Sequence, residues 1–115
     1  MSIESISITF SVENTARADV MLTSSRIYYR FATIDTCEEG DIPFNDIELI
    51  RRIEQTIQTS DSVLMPCDVK CNITISTKNS EQMFDNNNIS LTTYNSLINI
   101  LSRISDEFLF IRGFK

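Results

Sequence analysis

Apolar and polar side chains alternate with a period of two in two separate stretches, and this alternation is the strongest constraint on the fold. In residues 5–12 every second side chain is apolar, and the intervening side chains are Ser or Thr. Residues 69–78 begin with the same alternation. This period is typical of a strand that has one face in a core and the other in water. The sequence therefore predicts a sheet with one buried face.

Other segments predict further strands and two helices. A return strand is expected after the turn 13–15, although residues 16–22 also suit a short helix, and a strand at 26–34 is rich in β-branched and aromatic residues. The first helix is predicted to begin at an N-cap, Asn45, with Glu48 completing a capping box. The second is predicted to begin at Thr92. Short apolar strands are expected after the helices, at 62–65 and 108–111.

The two helical segments align with each other at a constant offset. Ile42 matches Ile89, which lies 47 residues further on, and Ile57 matches Ile104 in the same register. We therefore expect one domain, 1–115, in which an N-terminal hairpin (1–25) precedes two pseudo-repeats (26–66 and 71–112). The predicted fold is α+β: a mainly antiparallel sheet of five to six strands with two helices on one face, in a ferredoxin-like arrangement of repeated strand–helix–strand units.

The composition excludes several classes of chemistry. The 115 residues include no histidine and two glycines. Without histidine there is no Ser-His-Asp or Cys-His catalysis and no zinc site that uses imidazole. The two glycines, Gly40 and Gly113, are too few and too far apart for the glycine-rich loops that cradle phosphates. We expect a binding or regulatory protein that is not an enzyme and that carries no cofactor.

The cysteines and the N-terminus indicate the compartment. Cys37, Cys67 and Cys71 are an odd number of thiols, so we expect reduced structural cysteines with no metal and no intramolecular disulfide. The first ten residues hold Glu4 and no Lys or Arg, which does not fit a secretory signal. No apolar run approaches the ~20 residues that cross a bilayer. The expected location is the cytoplasm or nucleus, without secretion or membrane insertion.

Carboxylates crowd the segment before the first helix. Glu38, Glu39 and Asp41 are candidates for an acidic patch that docks onto a basic protein surface. The alternative is an ordinary solvated loop, because charged runs are usually exposed.

A second candidate surface lies on the strand at 26–34. Arg26, Tyr28 and Arg30 share one face of that strand, where two cations beside an aromatic ring could hold an unstacked base. Lys70 and Lys78 could extend this surface from the other long strand. The alternative is a strand face stabilised by ordinary cross-strand pairs. The net charge of −6 disfavours a polyanion, so a protein partner is expected ahead of nucleic acid.

The segment 70–106 resembles the PC4-like and Whirly-like single-stranded DNA-binding proteins. The resemblance rests on a strand-into-helix motif and the apolar positions that follow it: Asn88-Ile89-Ser90-Leu91-Thr92, then Tyr94, Leu97, Leu101 and Ile104. In that family a β-hairpin precedes the motif, and some members carry two such units in one chain. The resemblance implies a curved sheet that contacts single strands and subunits that pair through their helices.

The second helix is apolar over a wider arc than one sheet contact requires. Ile98 and Leu101 widen its stripe, and this surface predicts a homodimer interface. The alternative is deeper burial of the helix within the monomer.

Overall fold

The computed structural model describes residues 3–60 and 69–114, and in these ranges six strands form one antiparallel sheet in the order β4-β3-β2-β1-β5-β6. The strands are β1 (Ile3–Val12), β2 (Ala16–Thr23), β3 (Arg26–Thr33), β4 (Cys37–Pro43), β5 (Lys70–Thr77) and β6 (Glu81–Phe84). Two α-helices, α1 (Ile47–Gln58) and α2 (Leu91–Ser102), and a 3₁₀ helix (Asp106–Phe114) complete the order. The predicted α+β fold, a mainly antiparallel sheet with two helices, is confirmed. The ferredoxin-like order is not found in the described residues, where four strands precede α1 and two strands lie between α1 and α2. The strand expected at 62–65 lies outside the described residues.

β1 lies in the middle of the sheet, and its period of two gives it one buried face. Ile6, Ile8 and Phe10 are fully buried, while the Ser and Thr between them point to the opposite face. β2 pairs with one side of β1 and β5 with the other, both antiparallel. Residues 16–22 therefore belong to strand β2 and not to the alternative short helix. Their burial has a period of two, since Ala18, Val20 and Leu22 are buried opposite β1.

Both helices pack on the same face of the sheet. α1 buries Ile50, Ile53 and Ile57, and α2 buries Tyr94 and Leu97 among others, all within one apolar core that also contains the inward side chains of the strands. Among the described residues no helix is long and apolar enough to cross a membrane.

The helix caps differ from those expected. Asp46, not Asn45, accepts the Leu49 N–H at 3.0 Å and caps α1. Ser90, not Thr92, accepts the Thr93 N–H at 3.1 Å and caps α2. Near the start of each helix the sequence contains more than one residue able to cap it. The residue that acts as the cap is the one immediately before the first helical turn.

A hairpin followed by a helix occurs twice, with an offset that differs from the predicted one. α1 begins at Ile47 and α2 at Leu91, 44 residues later. The preceding hairpin turns are also 44 residues apart, since Thr33 donates to the Thr36 carbonyl and Thr77 to the Ser80 carbonyl, each at 2.8 Å. An apolar helical stripe nearly superposes on itself after a shift of three residues, which explains why the offset of 47 also aligned. The pseudo-repeat boundaries 26–66 and 71–112 stay a prediction.

The strand expected at 108–111 is wrong, because these residues lie in the 3₁₀ helix. Phe108, Ile111 and Phe114 are buried at a spacing of three, which is the period of a 3₁₀ helix. The Phe108 ring lies 5.2 Å from the ring of Tyr29, measured between centroids, on the helix side of β3. The C-terminal segment therefore covers the core under β3 and adds no strand to the sheet.

The turn between β1 and β2 depends on one residue. Asn14 has φ of 60°, in the left-handed region, and the loop is closed by a 3.0 Å bond from the Thr15 N–H to the Val12 carbonyl. Asn tolerates this conformation better than other residues with a Cβ.

We expect Asn14→Ala to lower the free energy of unfolding by about 1 kcal/mol, because Ala pays the full cost of the left-handed conformation. Asn14→Gly is the matched control and should be at least as stable as the natural sequence in urea unfolding. Equal stability of the Ala and Gly variants would contradict this account of the turn.

Candidate functional site

The face of the sheet opposite the helices is called the open face. Paired residues of antiparallel strands project their side chains to the same face. The registers therefore define a row across all six strands: Asp41, Tyr28, Met21, Ser7, Thr74 and Met83. Three of these side chains are large and solvent-exposed, with Tyr28 at 41%, Met21 at 38% and Met83 at 77%.

The arginines beside Tyr28 are paired with carboxylates. Arg26 contacts Asp41 Oδ1 through Nε at 3.0 Å and Nη2 at 2.5 Å. Arg30 lies 3.7 Å from Glu39 and opposite Asp19 on its other side. Arg26, Tyr28 and Arg30 do share one face, as the sequence indicates. Their charge, however, is balanced on the neighbouring strands.

The acidic residues expected on a loop belong to the edge strand β4. Glu39 and Asp41 face the open side, opposite Arg30 and Tyr28 respectively. Glu38 pairs with Phe31 and faces the helix side. The loop prediction is wrong because an edge strand pairs on one side only and needs no apolar alternation of its own. Glu39 and Asp41 thus lie beside Arg30 and Arg26 on one surface, whereas Glu38 lies on the other face.

The two lysines do not extend the Tyr28 surface. Lys70 is the first residue of β5, three strands away from Tyr28, which corresponds to about 14 Å at ordinary strand spacing. Lys78 lies in the turn between β5 and β6, beyond the last residue of the strand. Neither cation lies beside the Arg26–Arg30 stripe.

The residues expected at a homodimer interface lie inside the monomer. Ile98 and Leu101 both have 0% exposure and belong to the single apolar core. The wide apolar arc of α2 is covered by the 3₁₀ helix and α1 of the same chain, and Tyr94 of α2 contacts Phe10 of the sheet, which corresponds to the alternative interpretation. These two side chains therefore offer no surface to a second copy.

The thiols have different environments. Cys71 is fully buried on β5, and this burial raises the pKa of its thiol from 9.0 to about 12. Cys37 is exposed at the start of β4. Cys67 lies outside the described residues, so the Cys67–Cys71 spacing has no structural description. Within residues 3–60 and 69–114 no three Cys, Asp or Glu side chains form a cluster suited to a metal ion.

The sequence reasoning missed the two methionines of the open face. Met21 falls between Val20 and Leu22, so its apolar side chain occupies the polar phase of β2. That break in the alternation was a usable signal. Met83 gave no such signal in the sequence, because the short strand β6 is recognisable only from its pairing with β5.

Iodoacetamide should distinguish the two described thiols in the folded protein. We expect peptide mapping to find Cys37 alkylated and Cys71 unmodified until the chain is unfolded, because a buried neutral thiol is a poor nucleophile.

The raised pKa of the Cys71 thiol also means that, above about pH 9, this thiol ionises in the unfolded state before it does so in the folded state. The free energy of unfolding should therefore fall between about pH 9 and 12, and Cys71→Val should remove this part of the fall. Rapid modification of native Cys71 would contradict the burial.

Removal of the carboxylates should release the arginines for phosphate binding. We expect the natural protein to bind a labelled single-stranded oligonucleotide weakly at low salt, and the double variant Glu39→Gln, Asp41→Asn to bind more tightly. The slope of log affinity against log salt should steepen by about 1.4, for two more phosphates neutralised on a single strand. Glu13→Gln with Glu54→Gln makes the same change in net charge at residues that pair with neither Arg26 nor Arg30, and should have a smaller effect. Equal gains in both double variants would mean that net charge, not pairing, limits binding.

No protein-family model matches the sequence, and no curated protein is significantly similar to it. The resemblance of residues 70–106 to PC4-like and Whirly-like proteins therefore rests on the quoted motif and stays a prediction. In the structure this segment holds the hairpin β5–β6 and then α2.

Proposed function

We propose that this chain is a non-enzymatic regulatory protein of the cytoplasm or nucleus that binds a protein partner through the open face of its sheet. The observation that carries the proposal is the exposed pair Tyr28 and Met21 beside the charge-balanced Arg26 and Arg30, with exposed Met83 at the far end of the same row. Tyr, Met and Arg are the residue types enriched at protein interfaces.

The size of the open face suits this role. Five strand spacings of about 4.8 Å and strand lengths of about 25 Å give a surface on the order of 600 Å². A standard complex buries about 800 Å² on each partner. A partner that covers the open face and part of an edge would therefore form an interface of ordinary size.

The ion pairs of the open face can be rearranged at low cost. Arg26 and Asp41 are 43% and 41% exposed, and Arg30 and Glu39 are more exposed still. Exposed pairs of this kind contribute about 0–1 kcal/mol. A partner can therefore replace one member with a charge of its own, which supports a role of Glu39 and Asp41 in orienting association.

Single-stranded nucleic-acid binding is the second candidate. It is favoured by the exposed Tyr28 ring between Arg26 and Arg30, which could stack on a base. The carboxylates on both flanking strands weigh against it, because phosphate binding depends on unbalanced positive charge. For the same reason we place the protein partner first.

Photo-crosslinking from the open face tests the proposal. Tyr28 is replaced by p-benzoylphenylalanine, and Thr92, exposed at the start of α2, receives the same replacement as a control. After irradiation in an extract of the cells that produce the protein, we expect a discrete protein adduct from position 28 and none from position 92. The adduct should survive nuclease treatment. A nuclease-sensitive adduct would favour the second candidate, and equal labelling from both positions would contradict a role for the open face.

A further inference from the structure

The edge strand β4 has backbone groups that no described element pairs with. β3 occupies one side of β4, and β4 is the last strand of the sheet on the other. Its residues are exposed or half-buried along their whole length. An open edge of this kind accepts a further strand through main-chain hydrogen bonds.

The hydrogen bonds at both ends of β4 determine which groups face outward. Thr33 donates to the Thr36 carbonyl at the turn, and Phe44 donates to the Ser25 carbonyl at the far end. Bonded and non-bonded residues alternate along an antiparallel ladder, so the even-numbered residues of β4 bond to β3. The N–H and C=O groups of Cys37, Glu39 and Asp41 therefore point away from the sheet. Pro43 occupies the next outward position and has no N–H to offer.

The side chains of the outward residues select the charge of an added strand. Glu39 and Asp41 project to the open face at alternate positions. Both arginine contacts to Asp41 use Oδ1, so Oδ2 has no hydrogen-bond partner among the described residues. A residue opposite each carboxylate on an added antiparallel strand would have its Cβ about 5 Å away, within reach of a Lys or Arg side chain.

The other face of the edge carries Glu38 at its start and is uncharged beyond it, at Gly40 and Ile42. Ile42 is half-buried there, and the ring of Tyr29 lies against Gly40, so close that a Cβ at position 40 would be 2.9 Å from the phenol oxygen. Alternate residues of an added strand would meet these two positions. A second copy of β4 is disfavoured at this edge, because the antiparallel registers that pair most of the strand place carboxylates opposite carboxylates.

We propose that β4 binds an extended segment of a partner protein in which basic and apolar residues alternate, by antiparallel addition to the sheet. This inference rests on the proposed function and names the chemistry of the partner at that surface. The basic side chains lie beside Glu39 and Asp41, and the apolar ones lie beside Gly40 and Ile42. The outward N–H and C=O groups of Cys37, Glu39 and Asp41 supply the main-chain bonds.

A labelled peptide of alternating Lys and Val, measured by fluorescence anisotropy at low salt, is the probe. In antiparallel pairing the Lys residues have their N–H groups directed at β4, whereas those of Val point away. N-methylation of the Lys residues should weaken binding about tenfold or more, because several net-favourable hydrogen bonds are lost. N-methylation of the Val residues is the matched control and should leave binding unchanged. A peptide of alternating Glu and Val should not bind.

Amide hydrogen exchange gives an independent readout on the protein. In the free chain we expect the amides of Glu39 and Asp41 to exchange faster than those of Glu38, Gly40 and Ile42. The Lys–Val peptide should protect Cys37, Glu39 and Asp41 and leave the even-numbered amides as they were. Binding without this protection, equal binding of both N-methylated peptides, or no binding at all would overturn the edge-pairing proposal. The crosslinking result from Tyr28 would still decide separately whether the open face binds a protein.

Discussion

The pairing of β1 with β5 is the interaction on which the rest of the structure depends. β1, β2, β3 and β4 form a meander of neighbouring strands, and β5 joins it only through β1. Ile6 and Ile8 lie opposite Ile75 and Ile73, and all four side chains are buried. Loss of one such side chain to Ala costs about 2–5 kcal/mol in a typical core. The pairing of β1 with β5 therefore links the two parts of the sheet. It also contributes a large share of the free energy of unfolding of a small domain.

One core on one side of this sheet leaves the other side to water. α1, α2 and the 3₁₀ helix all pack on the face that carries the buried isoleucines. The opposite face keeps hydroxyl side chains in its centre and charged pairs on β2, β3 and β4. This asymmetry gives the molecule a broad surface that no helix of residues 3–60 and 69–114 covers. That surface and the edge of β4 are continuous, so one partner can contact both.

Local pairing of charges on the open face bears more on the choice between the candidate partners than the net charge of the chain does. The chain carries a net charge of −6, yet Arg26 and Arg30 could still have formed a local cationic stripe. The register of β3 with β4 places Asp41 and Glu39 beside them instead. At these separations a paired carboxylate cancels most of the field of the arginine at greater distance. This balance supports the proposal of a protein partner that exchanges ion pairs with the surface, ahead of a polyanion.

Local sequence patterns are sufficient to predict the inner strands, both helices and the side of each that is buried. Period-two alternation around Ile8 and Ile73 and the helical stripe through Ile53 are local patterns, and one buried face is the only way to satisfy them. The edge strands, the 3₁₀ helix and the pairing of Arg26 with Asp41 depend instead on tertiary contacts. β4 and β6 are strands because β3 and β5 supply partners, and the spacing from Phe108 to Phe114 matters only against the rings of β3. Such features depend on contacts between residues that are distant in the sequence, so no local pattern encodes them.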